Sequence, residues 1–320
     1  MSKMHQAKSI IAACIAAWAL VACGWHDPVA DTGTGSGGNG SGDFSGQDAS
    51  APVLTNNIAT DGRAWINYRR KQIGMSTLTQ STIIDKAAQG HSDYQRTNNV
   101  ITHDQTRGKA GFTGITVEDR LKSAGYSFGN PNAIGEVIAA TEKQTGFFMA
   151  EELITAIYHR FVIFEPVFQE IGSGSAANSS AYAYFTANFV TNNGYGPGIA
   201  TGTLAAWPID GQTGVPINFN SDNEAPDPVP DLNVVGYPIS VHTNLTRKLT
   251  VQSFTVRARN GNTNLPTRLL VQGQDAETKI SSVAAIIPLS PLVAKTVYDV
   301  AFSGAIDGTP VSKNWSFTTK

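Results

Sequence analysis

Hydrophobic and polar positions follow two periodicities along this chain, changing near residue 200. Ile58, Trp65, Ile66 and Ile73, with Arg69 among them, fall on one stripe of 3.6-residue period, and Gly74 ends it. The pattern predicts a helix from Leu54 to Ile73. A second helix is predicted with Thr79 or Ser81 as its cap and Ile83, Ile84, Ala87, Ala88, His91 and Tyr94 on one face, dissolving in the polar run Arg96–Asn99. On that apolar face His91 is expected to be buried and hydrogen-bonded to backbone. Residues 116–124 read as a short helix closed by Gly125, with Thr116 and Asp119 spaced as a capping box that uses Asp in place of Glu or Gln. Ile134 to Ala139 reads as a short extended piece, Met149 to Phe161 as a fourth helix, and 168–172 and 182–190 as strands.

Beyond Thr201 the period falls to two. Tyr237/Ile239/Val241, Val251 to Ala258, Arg268 to Gln272, Ser282 to Ile287, Tyr298/Val300/Phe302 and Trp315/Phe317 alternate, with no helical pattern between them. Short strands at this spacing predict an antiparallel sandwich. Pro291-Leu292, Thr296-Val297-Tyr298, Asp307-Gly308 and Trp315 to Thr319 resemble the end of a bacterial Ig-like (Big-type) domain. His242, alone in a strand, is expected to be structural or at the surface. The Gly- and Asn-rich stretch Asn192–Gly202 predicts the connection, placing one unit at 53–200 and an all-β unit at 201–320.

The start of the chain reads as an address. Lys3 and Lys8 precede an apolar run, Ile10 to Val21, that is too short to span a bilayer comfortably. It ends in Leu20-Val21-Ala22-Cys23, a lipobox pattern that predicts a signal peptide over 1–22 and lipidation at Cys23. Residues 23–52, with T-G-T-G-S-G-G-N-G-S-G at their centre, predict a flexible tether, because such a composition buries too little apolar surface to offset chain entropy. The expected place is the cell envelope: extracytoplasmic, and held by lipid on the outer membrane or cell surface.

Composition narrows the chemistry. Charged residues make up only 15% of the 320, the net charge is −2, and no basic run exceeds Arg69-Arg70-Lys71, which excludes nucleic-acid binding by a basic face. Loss of Lys3 and Lys8 with the leader would take the charge to −4. The chain has two cysteines; with Cys14 removed and Cys23 acylated the mature protein has no thiol for a disulfide, a thiolate metal site or thiol catalysis. Neither a Walker loop, G-x-G-x-x-G opening a helix nor H-E-x-x-H occurs.

One compact stretch, 100–166, gathers ionisable side chains suited to metal or acid–base chemistry: His103, Glu136, Glu152 and His159. Glu136 stands alone among apolar residues, where a carboxylate is costly to bury unless paired. In a chain without thiols, His103 and His159 are the expected ligands if a divalent metal binds, with Glu136 accepting from a ring N–H or bound water. No motif requires a cofactor, and zinc is the metal such a set would suit. The bland alternative is that these residues are separately satisfied on helix ends and loops.

The order W-I-N-Y-R-R (65–70), A-A-Q-G-H-S (87–92), I-T-H (101–103), D-R-L-K-S-A-G-Y (119–126), G-E (135–136), H-R (159–160) and F-Q-E-I-G-S-G (168–174), followed by the aromatic strand near 182–190, resembles the bacterial CAP superfamily of SCP-like domains. The resemblance covers about 55–190 and implies an α+β protein: a three-layer α–β–α CAP sandwich, here followed by the all-β Ig-like unit. It also implies a shallow cleft lined by two His and two Glu, matched by His103, Glu136 and His159, with Glu152 or else Glu151 as the second carboxylate. Val137 and Tyr158 depart from the Asn and Gly usual beside these positions. Family members are mostly secreted binders, so the resemblance implies binding of an extracellular lipid, peptide or envelope component. A metal-dependent hydrolase and an adhesion or structural lipoprotein acting through the Ig-like unit are the alternatives.

Overall fold

The computed structural model describes residues 44–178 and 182–320. The leader and Cys23 therefore lie outside the described residues. Helix α1 (Ile58–Gln72) starts at Asn57, whose side chain accepts from the Thr60 N–H, and buries Trp65, Ile66, Tyr68 and Arg69. Strand β1 (Thr79–Gln80) leads through Ser81 into α2 (Thr82–Asn98), which ends at Asn99 in the left-handed conformation. The capping box at α3 (Val117–Ala124) forms as the spacing predicts, with Gly125 at φ 105° closing it.

Strands β2 (Ala133–Thr141), β3 (Glu170–Ala177) and β4 (Ala183–Thr191) join β1 in a sheet of order β1-β3-β4-β2. Helix α2 covers one face, closely, because β3 offers glycine there: a Cβ on Gly172 would lie 2.3 Å from the Ile84 backbone, and one on Gly174 2.2 Å from Gln89 N. Side chains alternate along β2. Ile134 packs with Ile84, Val117 and Leu121 on the α2/α3 side, whereas Ala133, Val137 and Ala139 join Trp65, Phe147 and Leu153 on the other. Helices lie on both faces, giving three layers.

The fourth predicted helix is two. α4 (Gly146–Thr155) ends at Ala156, whose φ −66° and ψ 122° are extended, and α5 (Ile157–Ile163) begins anew. The break has a cause distant in sequence. The Glu224 carboxylate accepts from the N–H groups of Ile157 and Tyr158, both at 2.7 Å, supplying the cap that Ala156 lacks.

The second half holds two four-stranded sheets. One comprises β5 (Ala205–Trp207), β9 (Ile239–His242), β11 (Thr267–Val271) and β12 (Val283–Pro288), in the order β11-β12-β9-β5. The other comprises β6 (Gln212–Val215), β10 (Leu249–Ala258), β13 (Val297–Ile306) and β14 (Thr309–Thr319), in the order β10-β13-β14-β6. Pairing is antiparallel except for β14 with β6. A small ribbon, β7 (Phe219–Asn220) with β8 (Val234–Val235), stands apart.

Two expectations need correction. The tether is not flexible throughout 23–52: from Phe44 it is docked, the Phe44 ring 4.8 Å from Trp65, Gly46 N–H donating to Thr213 O and Gln72 Nε2 to Gly46 O. An aromatic residue with a buried partner ends the linker earlier than composition alone suggests. Nor does the connection near 200–207 separate two cores. Trp65, Phe147 and Phe164 share one apolar cluster with Trp207, Tyr237 and Phe317, and Arg160 donates to Pro238 O while stacking over Tyr237.

Candidate functional site

The polar centre of the first unit is built around Glu136. Its position on β2 turns it toward α2 and α3, where it is fully buried. Arg120, on the buried face of α3, donates through one nitrogen to both carboxylate oxygens at 2.8 and 2.7 Å. The other terminal nitrogen of Arg120 holds the carbonyls of His103 and Ile115. His103 Nδ1 donates to Glu136 Oε1 at 2.8 Å. Burial pushes the Glu136 carboxyl up, but the Arg120 guanidinium and the imidazoles beside it outweigh this and hold it well below the usual range.

His91 completes this group from α2, its Nε2 4.0 Å from Glu136. Its Nε2 donates to Thr102 O at 2.7 Å and its Nδ1 accepts from Gln105 at 3.0 Å, which fixes one neutral tautomer. Burial lowers its pKa to about 4, so it stays uncharged at neutral pH. The expectation of a buried, backbone-bonded His91 holds. His242 is also buried, bonded to Ser240 Oγ at 2.9 Å, with its pKa lowered to about 3 by burial.

The other predicted site residues lie elsewhere. His159 is on α5, which packs against the opposite face of β2: a Cβ on Gly135 would meet Val162 of that helix at 2.6 Å. The His159 ring instead binds Glu224, Nδ1 to Oε1 at 3.1 Å. The expected convergence of His103 and His159 is thus not formed, because residues 135 and 136 face opposite ways and each imidazole has a carboxylate of its own. Among the described residues, no group of three or more His, Cys, Asp or Glu is placed to hold a metal ion.

The two candidate carboxylates of α4 separate clearly. Glu151 is structural, accepting from Trp65 Nε1 at 2.7 Å and from Arg69 at 2.8 and 3.0 Å. Glu152, one residue on, is half-buried and lines a cavity of about 230 Å³ between the helical layer and the second half of the chain. Around it stand Ala140 and Thr141 from the end of β2, Leu153 and Ala156 from the α4–α5 corner, and Asn220 and Asn223 from the ribbon region. Burial, with Glu151 adding to it, raises the Glu152 pKa to about 7.

Sequence reasoning missed Arg120 and Glu224. A signal for Arg120 existed: an isolated buried Glu needs a cation, and Arg120 sits between Val117 and Leu121 on the apolar face of a capped helix. No local signal pointed to Glu224, which acts 65 residues from His159.

Residues 64–191 match the family described as CAP: Cysteine-rich secretory protein family. Among solved structures the chain is similar to an extracellular protein containing an SCP domain from Bacillus anthracis str. Ames. That match has 22% identity and a TM-score of 0.35, covering 45% of each chain. It is also similar to an outer surface protein from Borrelia burgdorferi, at 17% identity and a TM-score of 0.35, covering 41% of this chain and 90% of that one. The chain spans under half the length of the Bacillus protein. No curated protein matches it. No helix among the described residues is long and apolar enough to cross a membrane.

Proposed function

We propose that the protein is an extracytoplasmic, lipid-anchored binding protein whose ligand enters the cavity beside Glu152, framed jointly by the CAP domain and an Ig-like β-unit. The placement rests on the leader and the lipobox at Cys23. The site rests on one observation. Glu152 is a half-buried carboxyl with no hydrogen-bond partner among the described residues, and it lines an interdomain cavity. Clefts at domain junctions with a few convergent polar groups over apolar walls are where ligands bind. The His103–Glu136 centre lacks that character, because Arg120 and His103 already occupy its carboxylate, His91 stands beside it, and it is sealed from solvent. It serves to fix the 100–120 loop and α3 to the sheet.

The test is a thermal-shift screen of small polar compounds on the intact protein beside Asn220→Trp, whose indole would fill the cavity from its rim. A compound that raises the melting temperature of the wild type and not of the variant supports the site. Equal shifts in both proteins would place binding elsewhere.

A further inference from the structure

We propose that this cavity is a binding site for one neutral polyhydroxylated ring, a pyranose-sized sugar unit; the inference rests on the reading of the cavity as the ligand site. Size comes first. At about 230 Å³ the cavity falls below the roughly 300–1,000 Å³ of pockets for drug-sized ligands. A space of that size favours a single six-membered ring with its substituents over a long acyl chain or a folded peptide.

The lining sets the chemistry. Asn218, Asn220 and Asn223 line one side, and no side-chain hydrogen bond within the described residues engages their amides. Each amide offers a donor pair and an acceptor at fixed spacing, the complement of vicinal hydroxyls. Glu152 adds a carboxyl whose pKa of about 7 lets it accept from two hydroxyls when ionised or donate one proton when neutral. Met149, Leu153 and Phe219 supply an apolar floor for the C–H face of a ring. Phe148 also lines the cavity, with the Lys143 ammonium 4.6 Å from its ring centroid.

Charge selects the neutral member of that class. Lys320 lines the same cavity as Glu152, and both Lys143 and Lys320 act on the Glu152 titration. A cationic ligand would meet these ammonium groups, and an anionic one the carboxylate. A ring carrying hydroxyls or an acetamido group without net charge meets neither penalty, and its hydroxyls match groups that donate and accept side by side.

The experiment is saturation-transfer NMR on the intact protein, followed by calorimetry on any binder. The panel holds neutral hexoses, N-acetylhexosamines, their methyl glycosides and short oligosaccharides. Similar-sized amines, carboxylates and aliphatic alcohols serve as controls. Neutral pyranoses should bind the wild type, at least tenfold more weakly to Asn220→Ala and Glu152→Ala, and not to Asn220→Trp. Preference for free sugars or for oligosaccharide ends identifies the source of the ring. If amines, carboxylates or alcohols bind at the cavity and pyranoses do not, the ligand class is wrong and the cavity reading stands. If no compound distinguishes wild type from Asn220→Trp, both readings fall.

Discussion

Replacing Arg120 by Met tests whether Glu136 is the paired structural charge described above. Arg120 gives Glu136 two charge-assisted bonds at 2.8 and 2.7 Å and carries the carbonyls of His103 and Ile115 at 2.7 and 2.9 Å. Both side chains are fully buried. Methionine keeps much of the volume and leaves a buried carboxylate with only imidazole partners. Removing one partner of a buried ion pair costs about 3–5 kcal/mol, against a total stability of about 5–15 kcal/mol for a typical domain. The expected loss is therefore on the order of 4 kcal/mol at pH 7, read as a fall in the urea midpoint at constant slope.

A second substitution separates charge from packing. In Arg120→Met/Glu136→Gln the stranded carboxylate is gone while the amide oxygen can still accept from His103. The double variant should recover part of the loss, a coupling of at least about 1 kcal/mol. The pH dependence carries the same sign. In the wild type Glu136 titrates well below the usual range, so its stabilising contribution is present at neutral pH and is lost only in acid. Without Arg120 burial dominates and the carboxyl pKa moves up, so the difference between the two proteins widens from pH 5 to pH 8. A loss under 1 kcal/mol at pH 7, or a double variant no more stable than the single, would refute this account of the centre.

Glu165 is buried, with Oε1 accepting from Val167 N and Leu245 N, and burial raises its pKa to about 7. Its raised pKa means a contribution fully present below the unfolded value near 4.5 and lost as pH climbs through about 7, on the order of 3 kcal/mol. His91 and His242 act oppositely, losing stability as pH falls from about 6.5, and Glu152 also titrates near 7, so the reading is the difference between wild type and Glu165→Gln in denaturant melts, which should move in favour of the variant as pH rises from about 4.5 to about 7 and level off above that. A fragment of residues 53–200 should lack a cooperative near-ultraviolet melt, because it loses Trp207 from beside Phe164 and Glu224 from the start of α5; a melt close to that of the full chain would show that the shared core is dispensable. Cys23→Ser should abolish incorporation of a radiolabelled fatty acid, and undiminished labelling would end the lipobox reading.

How far the sequence could be read depended on where each residue's partner lies. α1, α2 and α3 were legible because their signals are local: an apolar stripe, a cap at the right spacing, a glycine at the stop. The strands of the second half were legible for the same reason, since period-two alternation needs no knowledge of the partner strand. What failed was always a matter of distant partners. The single helix drawn from Met149 to Phe161 breaks because a carboxylate from the second unit takes the N–H groups of Ile157 and Tyr158. That same carboxylate takes His159, and with it the imagined pairing with His103. Residue chemistry singled out side chains but not their company: His103 and Glu136 meet, Glu152 faces a cavity, and His159 bonds Glu224 of the second half. The sign of a buried carboxylate follows the same logic. Glu136 and Glu165 are both buried, yet one is held far below its ordinary pKa and the other is raised to about 7, because a guanidinium chelates the first and the second keeps one oxygen without a partner. A sequence shows that a carboxylate is apolar-flanked; only the fold decides whether it becomes a charged anchor or a group that holds its proton.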